Sequence, residues 1–152
     1  MKENEEDKHQ EEFPDSLSLK ESPVDSFYEW YAAEMKDLEE NGPKVRRGRK
    51  PSKKQYFTYI TDQAIIAYNF EPKWSKRNKV FREHINYPFN KLVENIYHTF
   101  RFSYFDVSYE DIKSEVVAFL TEKIGKFKEG KGKAFSYFSI VAKNYLIIQN
   151  NA

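Results

Sequence analysis

The sequence predicts an all-α fold: a small helical bundle preceded by a disordered acidic tail, a short amphipathic helix and a basic linker. Three observations lead there. Apolar residues recur at spacings of three and four through most of the chain after residue 21, and helix start and stop signals bracket those stretches. No stretch alternates apolar and polar residues as a half-buried strand does. A composition of 39% hydrophobic and 17% aromatic residues in 152 supplies one core, while 32% charged residues leave part of the chain poorly able to fold.

The formal net charge of +1 conceals two oppositely charged halves. Residues 1–42 carry 14 acids and 4 bases, net −10, and residues 43–152 carry 10 acids and 21 bases, net +11. A basic folded part points to a polyanionic partner, and the acidic tail either shields that surface, binds another basic site or is simply solvated. There are no cysteines, which excludes disulfides and thiolate metal sites and suits a reducing compartment. With no long apolar run and no signal-peptide pattern, the expected location is cytoplasmic, with no membrane partner.

Residues 1–21 are polar and aperiodic and read as disordered. In residues 22–42 Ser22 is placed to cap a helix, Pro23 suits its first turn, Asp25 completes a capping box, and Gly42 with Pro43 stops it. Phe27, Tyr28, Tyr31, Met35 and Leu38 fall on one side, for packing on the domain or for a partner. Residues 43–57 read as a basic linker, with seven bases among the eleven residues from Lys44 to Lys54. Arg46, Arg47, Arg49 and Lys50 surround Gly48, and Arg47-Gly48-Arg49 resembles an AT-hook core, which lies in the minor groove of A·T-rich duplex. AT-hook or plain linker, the segment attracts phosphates in a salt-dependent way.

Residues 58–152 read as the helical domain. One helix is expected from Thr61 to Phe70 and another from Ser75 to Ile85. Asn86-Tyr87-Pro88 reads as a fresh start, with Asn86 as cap and proline in the first turn, for a helix with Phe89, Leu92, Val93, Ile96 and Phe100 inward. Ser108 and Asp111 form a capping box for the next, with Ile112, Val116, Phe119, Leu120, Ile124 and Phe127 as its core stripe. At about 100° per residue, Asp111, Glu115, Ala118 and Glu122 share the opposite side, an acidic ridge that is either solvated or fitted to a basic partner helix. After the turn at Gly130 and Gly132, Ser136 is the expected cap of a last helix. Phe138, Val141, Tyr145 and Ile148 are expected to line one face, with Tyr137, Ile140 and Ile147 pointing elsewhere. Exposed aromatics beside bases suit single-stranded nucleic acid, since bases stack on them without hydrogen-bond readout. A helix buried on several sides would account for them equally.

Enzyme chemistry has little to stand on. Glu94 and His98 are spaced for a metal on one helix, but His84 is the only other histidine in the helical domain. No phosphate-binding glycine loop and no nucleophile signature occur, and no cofactor is expected.

Residues 90–102 followed by YEDIKSEVVAFLTEKIGKFKEGKGKAFSYFSIVAKNYLI resemble region 2 of bacterial RNA polymerase sigma factors. That family shows a D-L-x-Q-E helix, a K-F or R-F end, a G-x-x-F-S-T-Y turn and an I-A-R-N helix. Asp111-Ile112-Lys113-Ser114-Glu115 resembles the first and Lys126-Phe127 the second. The stretch Lys131 to Phe138 resembles the third, and Val141-Ala142-Lys143-Asn144 the last. The resemblance covers about residues 85–150 and lacks the family's helix-turn-helix module, as in the late-transcription sigma factors of large tailed phages, which rely on accessory proteins.

The resemblance implies that Asp111, Ser114, Glu115, Ala118 and Glu122 dock on the β′ clamp helices of core RNA polymerase, with Ser114 in place of the family's glutamine. It further implies that Lys131, Lys133, Tyr137, Phe138, Val141, Lys143 and Asn144 bind promoter DNA and the unpaired non-template strand of the −10 element. Anchored on Phe135, the stacking position falls to Phe138; anchored on Ala142-Lys143-Asn144, it falls to Tyr137. Val141 stands where primary sigma factors carry tryptophan. The rival reading is an architectural or adaptor protein that binds A·T-rich duplex through Lys44 to Lys54.

Overall fold

The structure is a computed structural model that describes residues 22–42, 55–100, 108–130 and 132–151. The acidic tail and most of the basic linker, with Arg46, Arg47, Arg49 and Lys50, lie outside the described residues, as does Lys131. The described residues are helical with no strand among them, as the periodicity predicts. Helix α1 spans Pro23–Asn41, α2 Tyr59–Phe70, α3 Trp74–Val80, α4 Asn86–Thr99, α5 Tyr109–Lys123 and α6 Ala134–Asn150. A π turn over Phe81–Ile85 joins α3 to α4, and a short 3-10 turn over Ile124–Lys126 ends α5.

Local signals set several of these boundaries. The Ser22 hydroxyl accepts the N–H of Asp25 at 3.0 Å, and Gly42 closes α1 at φ 72°, a conformation that favours glycine. Asp25 does not return the capping bond expected of it; its carboxylate meets Lys76 Nζ on α3 at 2.6 Å. Helix α2 starts two residues before the expected Thr61, because Thr58 caps it. The Thr58 hydroxyl accepts the N–H of Ile60, and the Thr61 hydroxyl accepts the N–H of Thr58.

Asn86 does not open a new helix. The chain runs on from Trp74 to Thr99, with the Asn86 N–H donating to the carbonyl of Phe81, one residue farther back than in an α-helix. Pro88 sits inside this run, where it would break a regular ladder because it has no N–H to give. The widened turn just before it accommodates the missing bond. Val80, Ile85, Phe89, Leu92 and Val93 are all buried, so the continuous path keeps both halves against the core.

The core gathers residues from every helix, including Val24 and Phe27 of α1. Helix α1 therefore packs on the domain, with Tyr28, Trp30 and Tyr31 partly buried there, while Met35, expected on its inner face, is exposed. Phe57, assigned by sequence to the end of the linker, is buried against Phe89 and Phe135, with ring centroids at 6.4 and 5.7 Å.

Candidate functional site

Helix α5 separates its two faces cleanly. Ile112, Val116, Leu120 and Ile124 are buried, whereas Asp111, Ser114, Glu115, Ala118 and Glu122 are all exposed. The Ser108 hydroxyl accepts the Asp111 N–H at 3.3 Å, which fixes where the helix starts and so which side the acids occupy. Phe119, expected in the core stripe, is only half-buried and lies with its ring 4.7 Å from that of Tyr145 on α6. Burial, with Glu115 and Glu122 nearby, pushes the Tyr145 hydroxyl above its ordinary range. The acidic face thus borders the seam between α5 and α6.

The turn between those helices is held from outside. Asn69 of α2 donates from Nδ2 to the carbonyls of Ile124 at 2.9 Å and Phe127 at 3.2 Å, and Phe127 is buried. Gly130 and Gly132 adopt φ 89° and 98°, where a side chain would be strained. Helix α6 then begins at Ala134, two residues before the expected cap Ser136, with Lys133 at the capping position and no side-chain bond of its own. Its first-turn N–H at Ala134 is met by the Asp62 carboxylate from α2. Burial raises the Asp62 pKa, and the bond from Ala134 and the nearby Lys133 ammonium oppose that shift. Ordinary capping reasoning looks within three residues and so misses this cap.

On α6 the buried residues are Ala134, Phe138, Ala142 and Leu146. This corrects the assignment of Phe138 as a stacking residue. Its ring is 0% exposed and packs 4.9 Å from Phe89, so no base reaches it. Ile148, expected inward, is 65% exposed. Tyr137, Val141 and Tyr145 form a half-buried flank on one side of the core stripe. Tyr137 leans on Phe127 and Phe138, with centroids at 6.0 and 4.9 Å, and keeps part of its surface open.

Lys143 is not gathered with Tyr137. Six residues apart, they lie about 120° apart around the helix, and the Lys143 ammonium sits 4.3 Å from the centroid of Phe100 at the end of α4. Phe100 is therefore half-exposed beneath a cation instead of inward as expected. Asn144 and Lys133 are exposed, and the outermost face of α6 carries Ser136, Ile140 and Ile147. The sequence reading points both isoleucines away from the face of Phe138.

Glu94 faces Lys91 and Lys113, each at 3.9 Å, and His98 rests with its ring 5.2 Å from that of Tyr109. Among the described residues no group of three potential ligands could hold a metal ion, and no helix is long and apolar enough to cross a membrane.

Comparison with family models, with curated proteins and with solved structures finds no match to this chain. The functional reading therefore rests on its own residues and their placement.

Proposed function

We propose that this chain is a sigma factor of the region 2 type, which recruits core RNA polymerase and binds the melted −10 strand of a promoter. The observation that carries the proposal is the two-sidedness of α5. The five residues aligned with the family's polymerase-docking helix all face solvent, and the apolar residues between them are buried. An acidic ridge on an otherwise basic domain has a reason to exist if a basic helix of another protein lies on it. The β′ clamp helices take that role in this reading.

The neighbouring flank of α6 would meet DNA. Tyr137 is the stacking aromatic, because Phe138 is enclosed, and Lys133 and Asn144 are exposed near it on the side from which the strand would approach. Lys143 acts from the other side, towards phosphates near Phe100. The chain supplies recognition and strand capture, phosphodiester synthesis belongs to the polymerase, and accessory factors would supply the rest of promoter recognition.

Reconstitution with core polymerase tests this. Promoter-specific transcripts that appear only when this chain is added, with accessory factors if needed, are the expected result. Absence of both transcripts and core-polymerase binding would reject the proposal.

A further inference from the structure

The outer side of the long helix from Trp74 to Thr99 carries a second set of aromatics and bases that the sigma reading does not use. Trp74 is 73% exposed and Tyr87 60% exposed, unusually open for rings of that size. Between them Asn78, Lys79 and Arg82 are exposed as well. Residues 73–82 contain five bases and no acid. Three of those bases also have contacts within the molecule, Lys76 with Asp25, Arg77 over the Tyr68 ring at 4.5 Å and the exposed Lys79 over the Tyr28 ring at 4.6 Å.

The π turn decides how these side chains line up. Trp74, Asn78 and Arg82 follow one another at the four-residue spacing of a helix face. Past that point a four-residue step would reach Asn86, but the turn over Phe81–Ile85 accommodates one extra residue, so a five-residue step from Arg82 reaches Tyr87. Lys91 comes next in the row, with its ammonium 6.0 Å from the Tyr87 centroid. The row winds about 40° around the axis at each step, so Trp74 and Tyr87 are about 20 Å apart along the axis and about 120° apart around it, and a strand that touches both must cross the helix obliquely.

We propose that this ridge is a nucleic-acid surface that takes an unpaired strand, with bases stacked on Trp74 and Tyr87 and phosphates met by Lys79 and Arg82. Charge complementarity favours a polyanion. The spacing favours a strand over an acidic protein, because protein interfaces gather their aromatic anchors into one central patch. Single-strand grooves instead distribute them along a line beside a basic track. The one acid within the ridge, Glu83, accepts the Tyr28 hydroxyl at 2.6 Å and so is turned towards α1. Lys79 lies 4.6 Å from the centroid of that same Tyr28, at the edge of the ridge.

Binding of a labelled oligothymidylate of about twelve nucleotides to the full chain at low salt, without polymerase, tests the proposal separately from the sigma reading. Trp74→Ala and Tyr87→Ala should each raise Kd by about 5- to 150-fold, the loss of one stacked base, and Trp74→Phe should recover most of it. Arg82→Ala should lower the slope of log affinity against log salt by about one. Repeating the series with all seven bases from Lys44 to Lys54 replaced by alanine removes phosphate binding by the basic segment. Trp74 is exposed enough that its alanine variant should keep the wild-type circular dichroism, so an unchanged Kd in that variant would overturn the proposal. Competition by polyglutamate as strong as by unlabelled oligothymidylate would overturn it too, since stacking would then contribute nothing.

Discussion

The buried carboxylate of Glu71 accepts the backbone N–H of Val24, 47 positions earlier in the chain, at 3.1 Å. Its other oxygen accepts the N–H of Lys73 at 3.0 Å, so one side chain ties the start of α1 to the corner between α2 and α3. Helix starts carry unpaired N–H groups, and here a distant acid satisfies one of them. Glu71→Ala should cost about 1–3 kcal/mol for each donor left without a partner. Thermal melting should show a loss of several degrees, and Glu71→Gln, which keeps one acceptor oxygen, should lose less.

Charge reversal on α5 separates docking from folding. Asp111→Lys with Glu115→Lys should abolish capture by core polymerase, because like charges across an interface cost several kcal/mol. Asp111 lies in the first turn, so its reversal also removes a favourable dipole interaction of about 0.3–1 kcal/mol. Helical circular dichroism should survive that small loss. A folded variant that still pulls down polymerase would remove the acidic face from the docking surface.

Adjacent aromatics on α6 should give opposite phenotypes. Phe138→Ala empties a fully enclosed site and should destabilise the protein by about 3–5 kcal/mol. Tyr137→Ala should leave the melting temperature closer to wild type and instead reduce permanganate reactivity of promoter thymines about 5- to 150-fold. A promoter mismatched across the −10 region should restore part of the signal by removing the unpairing cost. Wild-type reactivity in a folded Tyr137→Ala variant would take strand capture away from this residue.

His84 should make stability fall in acid. It sits on the π turn with the rings of Tyr31, Phe27 and Tyr28 at 4.5, 5.0 and 5.6 Å, and burial lowers its pKa below the ordinary 6.5, opposed by Glu83. A histidine whose folded pKa is depressed favours the fold while neutral. Its contribution is complete above about pH 6.5 and is lost as pH falls from there through the folded value. Denaturant titrations from about pH 7.5 down to about pH 5, starting above the ordinary value of 6.5 and running below it, should show a decline that His84→Gln removes. Equal declines in the two proteins would assign the acid sensitivity to another group.

The elements read most accurately from sequence are those whose signals are local. Ser22, Pro23 and Gly42 bound α1, and Ser108 starts α5, because caps act within three residues of the chain. Asn86-Tyr87-Pro88 misleads for the same reason. As a tripeptide it is a good start, but Phe89 and Ile85 must both reach one core, and that demand makes a π turn preferable to a break. On α6 the period is legible and its phase is not. The contact face is marked by Ala134 and Ala142, residues too small to stand out beside Tyr137 and Ile148, yet their size is what lets α6 approach closely enough to enclose Phe138. The outward face of α5 was readable because its acids and its apolar residues alternate in opposite phase.

Asp62 at the N–H of Ala134 has a consequence for how far α6 can form on its own. Nothing in the segment itself tells α6 to begin at Ala134, because Lys133 offers no capping oxygen and the nearest hydroxyl is Ser136. A peptide of residues 126–150 alone would therefore nucleate three residues late, with Ser136 as its cap in place of Lys133. The first turn of α6 therefore draws on a contact with α2. It couples the start of the stretch through which the promoter strand would be held to the placement of a helix far earlier in the chain.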